Sequence, residues 1–125
     1  MSFHVLSIGN CAYDHQQIQR LFAAFSRVEL RAVDSADEAV QQINSDCQLV
    51  LINRILDRTG ECGLELVQRV KREHPVLPVM LISNFAAAQE AAEQAGALPG
   101  FGKAQLDDPD LVRRLEIALS PETAP

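Results

Sequence analysis

Chemistry in this chain would have to gather where apolar runs end in polar or small residues. Gln48-Leu49-Val50-Leu51-Ile52 ends in Asn53, and Pro78-Val79-Met80-Leu81-Ile82 ends in Ser83. Phe3 to Ile8 ends in Gly9-Asn10, and a weaker run from Leu98 ends in Lys103. Asn53 poses the main question. An amide is uncharged and its lone pairs are delocalised, so it is a poor nucleophile. It is also a weak ligand for a hard cation, which prefers carboxylate oxygens. Asp57 and Glu61 bring carboxylates to the loop that follows, where an aspartate ordinarily forms a turn. Cys11 and Cys62 fall in loops, as a redox pair or as two unrelated small residues, with no neighbour evident that would lower a thiol pKa. His4, His15 and His74 are scattered and form no ligand set.

The run ending in Asn53 is apolar without alternation, which reads as a strand buried on both faces of a parallel sheet. In an open α/β sheet the ligand crevice lies beyond the carboxyl ends of the strands, which puts Asn53 at its mouth. Phe3 to Ile8 is the first strand. Asp14 is the expected cap of a helix carrying Ile18, Leu21, Phe22 and Phe25. Val28 to Val33 alternates like a half-exposed edge strand. Ser35-Ala36-Asp37-Glu38 reads as a capping box, with Glu38 reaching back, for a helix that buries Ala39, Val40 and Ile43 and closes at Asn44.

A loop from Arg54 to Cys62 leads to a helix starting at Gly63, with Leu64, Val67 and Val70 as its apolar face, stopped by His74-Pro75. Pro78 to Ser83 is the fourth strand. Ala86 to Ala95 is an alanine-rich helix, a docking face or a plain surface helix, stopped by Gly96. Leu98 to Lys103 is a weak fifth strand. Asp108-Pro109 opens a last helix with Leu111, Leu115, Ile117 and Leu119 available for docking. Strands alternating with helices predict a doubly wound parallel sheet with right-handed crossovers.

Bulk properties narrow the classes. At 125 residues and 47% hydrophobic composition, the chain is one domain with a real core. A net charge of −6 and an aromatic content of 5% without tryptophan disfavour nucleic-acid or anionic-membrane binding by this domain alone. No apolar run is long enough to span a bilayer, and no basic-then-apolar leader stands at the start, so a cytoplasmic location is expected. Three cysteines without short spacing form neither a disulfide framework nor a zinc site.

In order and spacing, the chain resembles the receiver domain of bacterial two-component response regulators. The resemblance rests on Leu49-Val50-Leu51-Ile52-Asn53, Gly63-Leu64-Glu65-Leu66, Pro78-Val79-Met80-Leu81-Ile82-Ser83, and Gly96-Ala97 before Lys103. It covers residues 1–120 and leaves 121–125 as a tail or the start of a linker. It implies a flavodoxin-like sheet of five strands in the order 2-1-3-4-5, with five helices on both faces. In that family an acidic pair ends the first strand, an aspartate the third, a serine or threonine the fourth and a lysine the fifth. Those positions hold Gly9 and Asn10, then Asn53, Ser83 and Lys103. Hydroxyl and lysine match; the three acidic positions do not. Ala104 stands where proline usually follows the lysine. The switch aromatic falls on Gly100 or, one place off, on Phe101, and the loop from Asn53 to Gly63 is longer than usual.

What the resemblance implies is a degenerate site. Nucleophile and metal ligands are lost together, so the expectation is a non-phosphorylatable pseudo-receiver with no metal, no cofactor and no enzymatic activity. It would be an interaction module for a protein partner in two-component-type signalling or transcription control. A homodimer through the fourth helix, fifth strand and fifth helix, as in many relatives, stays open. Two other readings stand beside it. One is a flavodoxin-like cofactor or small-ligand domain, although Gly9-Asn10-Cys11-Ala12-Tyr13 has a single glycine. The other is a receiver phosphorylated at Asp57. Without a carboxylate cluster, Lys103 is expected to bond Asn53 or a backbone carbonyl or to turn to solvent, with Asp57 and Glu61 as candidate counter-ions.

Overall fold

In the computed structural model, which describes residues 3–119, the apolar run becomes β3 (Cys47–Asn53) at the centre of the sheet. The tail expected at 121–125 lies outside the described residues. β3 pairs in parallel with β1 (Phe3–Ile8) and with β4 (Val79–Ile82). β2 (Val28–Val33) adds to β1 at one edge and β5 (Leu98–Phe101) to β4 at the other, giving the expected order 2-1-3-4-5. Parallel strands need crossovers, and these are α1 (Ala12–Phe22), α2 (Ala36–Gln42), α3 (Gly63–Glu73) and α4 (Ala86–Gln94); α5 (Pro109–Leu119) follows β5.

The alternating faces of β3 divide the core. Val50 and Ile52 point to the layer of α2, α3 and α4, packing with Ala39, Leu66, Val67, Val70 and Ala92. Leu49 and Leu51 point to the layer of α1 and α5, packing with Ile18, Phe22, Leu111 and Leu115. Both faces are buried, which is why the strand reads as an unbroken apolar run.

Local expectations need several corrections. α1 is capped by Cys11, whose Sγ accepts from the Asp14 N–H at 3.5 Å, so Asp14 lies inside the first turn. A negative charge there still favours the helix dipole. Ser35 caps α2 as expected, its Oγ 3.1 Å from the Glu38 N–H. The reciprocal carboxylate, however, comes from Glu61, whose Oε1 accepts the Ala36 N–H at 3.0 Å. In α3, Leu66 is buried beside Val67 and Val70, while Leu64 is only half-buried. Ile117 is 61% exposed and does not dock. β5 ends at Phe101, and Lys103 opens a short 3-10 turn. Pro99, with no N–H to give the ladder, accompanies an irregular β4–β5 pairing between Met80 and Ile82.

Candidate functional site

β3 and β4 deliver Asn53 and Ser83 to one cleft at their carboxyl ends, as strand polarity requires. The cleft is about 290 Å³ and is lined by Asn53, Arg54, Ser83, Asn84, Phe85 and Lys103, among others. Asn53, Ser83 and Lys103 are therefore brought together. Gly9 and Asn10 sit on the turn behind them: the Asn53 Nδ2 donates to the Gly9 carbonyl at 3.0 Å, and the Asn10 Nδ2 donates to Ser7 Oγ at 2.9 Å.

Gly9 is a glycine for two reasons. Its φ is +78°, and a Cβ there would lie 2.5 Å from Leu56 Cγ. Leu56 is fully buried because the long loop folds back on itself. Ile55 bridges Cys62 in antiparallel fashion, the Leu56 N–H donates to Glu61 O at 2.9 Å, and the Asp57 N–H donates to Gly9 O at 2.8 Å. Asp57 contributes its backbone to the turn while its side chain is exposed and does not line the cleft.

Lys103 finds a partner that sequence reasoning missed. Its Nζ meets Asp14 Oδ2 at 2.6 Å, an ion pair across 89 residues, and neither Asp57 nor Glu61 is its counter-ion. Burial pushes the Asp14 carboxyl up. The Lys103 hydrogen bond, one from Cys11 Sγ at 3.3 Å and the Lys103 charge more than offset it, leaving the group below the ordinary carboxylate value. The Cys11 thiol is thus tied to Asp14, and both Cys11 and Cys62 are free thiols.

These residues do not fit a magnesium ion, which wants several oxygen ligands at near-octahedral geometry. Gly9 has no side chain, Asn10 and Asn53 have only neutral amide oxygens to offer, and the Asp14 carboxylate is engaged by Lys103. Among the described residues no group of three His, Cys, Asp or Glu side chains forms a metal site. A phosphate loop before α1, the flavodoxin-like alternative, would face the Asp14 charge in that helix's first turn.

Phe101 is fully buried among Leu111, Leu115 and Met80. Ser83 Oγ accepts the Phe85 N–H at 3.1 Å, and the Ser83 N–H donates to Phe101 O at 2.9 Å. Gln89, from the alanine-rich α4, reaches into the irregular junction of β4 and β5. Its Nε2 lies 2.9 Å from Leu81 O, 3.1 Å from Ser83 O and 3.4 Å from Phe101 O, while its Oε1 accepts the Gly100 N–H at 3.1 Å. One side chain thereby supplies bonds that a longer β5 would have made. The only sequence hint was Gln89 as the first polar residue of a helix that opens on three alanines.

The architecture and the position of the cleft define the fold of a response-regulator receiver domain. No protein-family model matches the sequence, and neither does any curated protein. Solved structures do. The receiver domain of NtrX from Brucella abortus matches 92% of this chain at 27% identity with a TM-score of 0.78, over 97% of that domain. A structure of NtrX from the same organism matches 98% of this chain at 27% identity and a TM-score of 0.80, yet the match spans only 27% of that protein. A response regulator receiver protein from Pseudoalteromonas atlantica matches 89% of this chain, and 97% of its own, at 18% identity and a TM-score of 0.67, a likeness of fold alone. Among the described residues no helix is long and apolar enough to cross a membrane.

Proposed function

We propose that this chain is a pseudo-receiver: a receiver-fold module of a two-component-type signalling or transcription-control pathway that works by binding a protein partner and not by accepting a phosphoryl group. The observation that carries this reading is the packing of Leu56 against Gly9, where the family places a carboxylate. Acyl-phosphate formation needs a carboxylate nucleophile and a hard cation beside it. Asn53 offers neither charge nor a free amide nitrogen, and among the described residues no cluster of carboxylates stands beside it to hold a cation.

The same features support a partner surface of one shape. In receivers that switch, the phosphoryl group draws the hydroxyl and the aromatic inward and reshapes the face around α4 and β5. Here Phe101 is already buried and Gln89 fastens α4 to both strands. The partner then reads a standing surface on α4, β5 and α5, whether that partner is another protein or a second copy. Incubation with acetyl phosphate and Mg²⁺ tests the reading through the intact mass. An unchanged mass is expected, and a phosphoryl adduct would overturn it.

A further inference from the structure

We propose that the groove at the amino ends of β4 and β5 binds a small organic anion with an apolar body, of the fatty-acid class, its charge taken by Lys71 and Arg114. The groove lies at the end of the sheet opposite the cleft and shares no lining residue with it. The inference therefore goes beyond the pseudo-receiver reading and does not rest on it.

The apolar part of the groove is lined by Val76, Met80, Leu98 and Ile117. Val76 is 83% exposed, Ile117 61% and Leu98 38%. Large apolar side chains left singly in water need no explanation, but three around one hollow do. A volume of about 460 Å³ falls within the range of pockets that enclose small organic ligands.

Charge gives the second character of the occupant. The chain is net −6, yet no acidic residue lines this groove. Lys71 and Arg114 do line it, and neither makes an ion pair among the described residues. Backbone carbonyls hold both in place instead. Lys71 Nζ donates to Pro75 O and to Leu77 O, each at 2.8 Å. Arg114 Nη1 donates to Pro99 O and to Gly100 O, each at 2.9 Å. One ammonium hydrogen is left over, and the Arg114 Nε and Nη2 hydrogens have no acceptor among the described residues. Gly96 is part of this arrangement. Its φ is +107°, and a Cβ there would stand 3.2 Å from Lys71 Cε, so the glycine makes room for the stem that carries the ammonium. Burial holds the Lys71 pKa below its ordinary value, a penalty that an anion alongside would offset.

Two fixed cations in an apolar wall call for a ligand that answers both. A bare inorganic anion would leave the apolar part wet, and a neutral hydrocarbon would strip water from two charges without pairing them. A second copy seated by a two-fold axis would bring the same two cations face to face. A carboxylate on an apolar chain meets each requirement, and the open edge of the Arg114 fork matches its two oxygens.

Titration of the whole chain, carrying isotope-labelled methyl groups, with sodium octanoate tests the site by methyl NMR. Saturable shifts are expected at Val76, Met80, Leu98 and Ile117, with Ile55 and Leu56 at the other end of the sheet unmoved. Octanol has the same chain without the charge and should bind about tenfold more weakly, as expected for one lost charge-assisted contact. Acetate, the charge without the chain, should give no saturable shift. Ile117→Asp alters an exposed side chain, so the fold should survive while the added carboxylate abolishes binding. Tyr13→Ser, equally exposed but outside the groove, should bind as the wild type does. Shifts that never saturate, octanol binding as tightly as octanoate, or equal loss in Tyr13→Ser would overturn the proposal. So would movement of the same methyls on dilution without octanoate, which would seat a second copy in the groove. A phosphoryl adduct in the mass test would overturn the functional reading and leave this one standing.

Discussion

A Cβ on Gly9 would stand 2.8 Å from the Cα of Leu56. That approach is to backbone, so no rotation of the leucine side chain relieves it. The long loop after β3 has folded into the space beside β1 where receivers carry an acidic side chain, and it is anchored there by the Asp57 N–H bond to Gly9 O at 2.8 Å. Loss of the acid and growth of the loop are thus a single packing arrangement.

Restoring the acid should therefore damage the protein and not repair it. Gly9→Asp has to adopt a φ of +78° and displace Leu56. The left-handed backbone costs about 1–2 kcal/mol and overpacking about 1–3 kcal/mol more. Gly60→Ala separates the two effects, since Gly60 has a φ of +74° with open space around it. Urea melts should show Gly60→Ala losing about 1 kcal/mol and Gly9→Asp losing at least twice that.

Asn53→Asp asks a different question, because it supplies the nucleophile alone. The Asn53 Nδ2 bond to Gly9 O would become a carboxylate oxygen facing a carbonyl oxygen, at a cost of about 1–3 kcal/mol. The variant should fold and still take up no phosphoryl group from acetyl phosphate and Mg²⁺ by intact mass, because Gly9 and Asn10 contribute no carboxylate to hold the cation. Efficient phosphorylation would mean that one substitution suffices to revive the site.

The ion pair of Asp14 with Lys103 gives a pH dependence of definite sign. Asp14 sits below its unfolded-chain value, so it binds its proton less readily when folded. Its contribution to stability is complete above about pH 3.9, the unfolded value, and is lost as pH falls through the lower folded value. Asp14→Asn should flatten that part of the acid-unfolding curve. At neutral pH the change in stability should be small, because Lys103 is 39% exposed and the pair is partly screened.

The sheet was legible in the sequence because β3 and β4 are buried on both faces, and continuous apolar runs report that directly. Asn53 was legible as a strand ending, and Ser83 and Lys103 as residues just past the ends of theirs, since strand polarity carries them to one end of the sheet. Asp14 was misread because its type suits a helix cap; its actual partner lies 89 residues away, and no local pattern encodes that distance. Arg54 and Leu56 were passed over as loop residues, since only the fold of the loop gives one a place in the cleft and the other a place in the core. Ile117 shows the converse error, an apolar residue at plausible helical spacing that faces solvent.

Gln89 gives the sharpest test of a standing partner surface. Its amide bonds carbonyls of β4 and β5 and accepts the Gly100 N–H, so it does the work of ladder hydrogen bonds at the place where β4–β5 pairing is irregular. Gln89→Ala leaves the Gly100 N–H without this acceptor, and a loss of about 2–3 kcal/mol is expected from the unpaired groups. Amide exchange should quicken in β5 and α4 before it does in β1 and β3, because the fastening is local. Gln89→Glu keeps an oxygen for Gly100 but sets a carboxylate among carbonyl oxygens. Its folded-state pKa should rise, so its stability should be better at acidic pH, where it is protonated, and decline as pH rises through that value. If both variants melt and exchange like the wild type, the fastening of α4 to the sheet contributes nothing, and the surface on α4 and β5 is not held by Gln89.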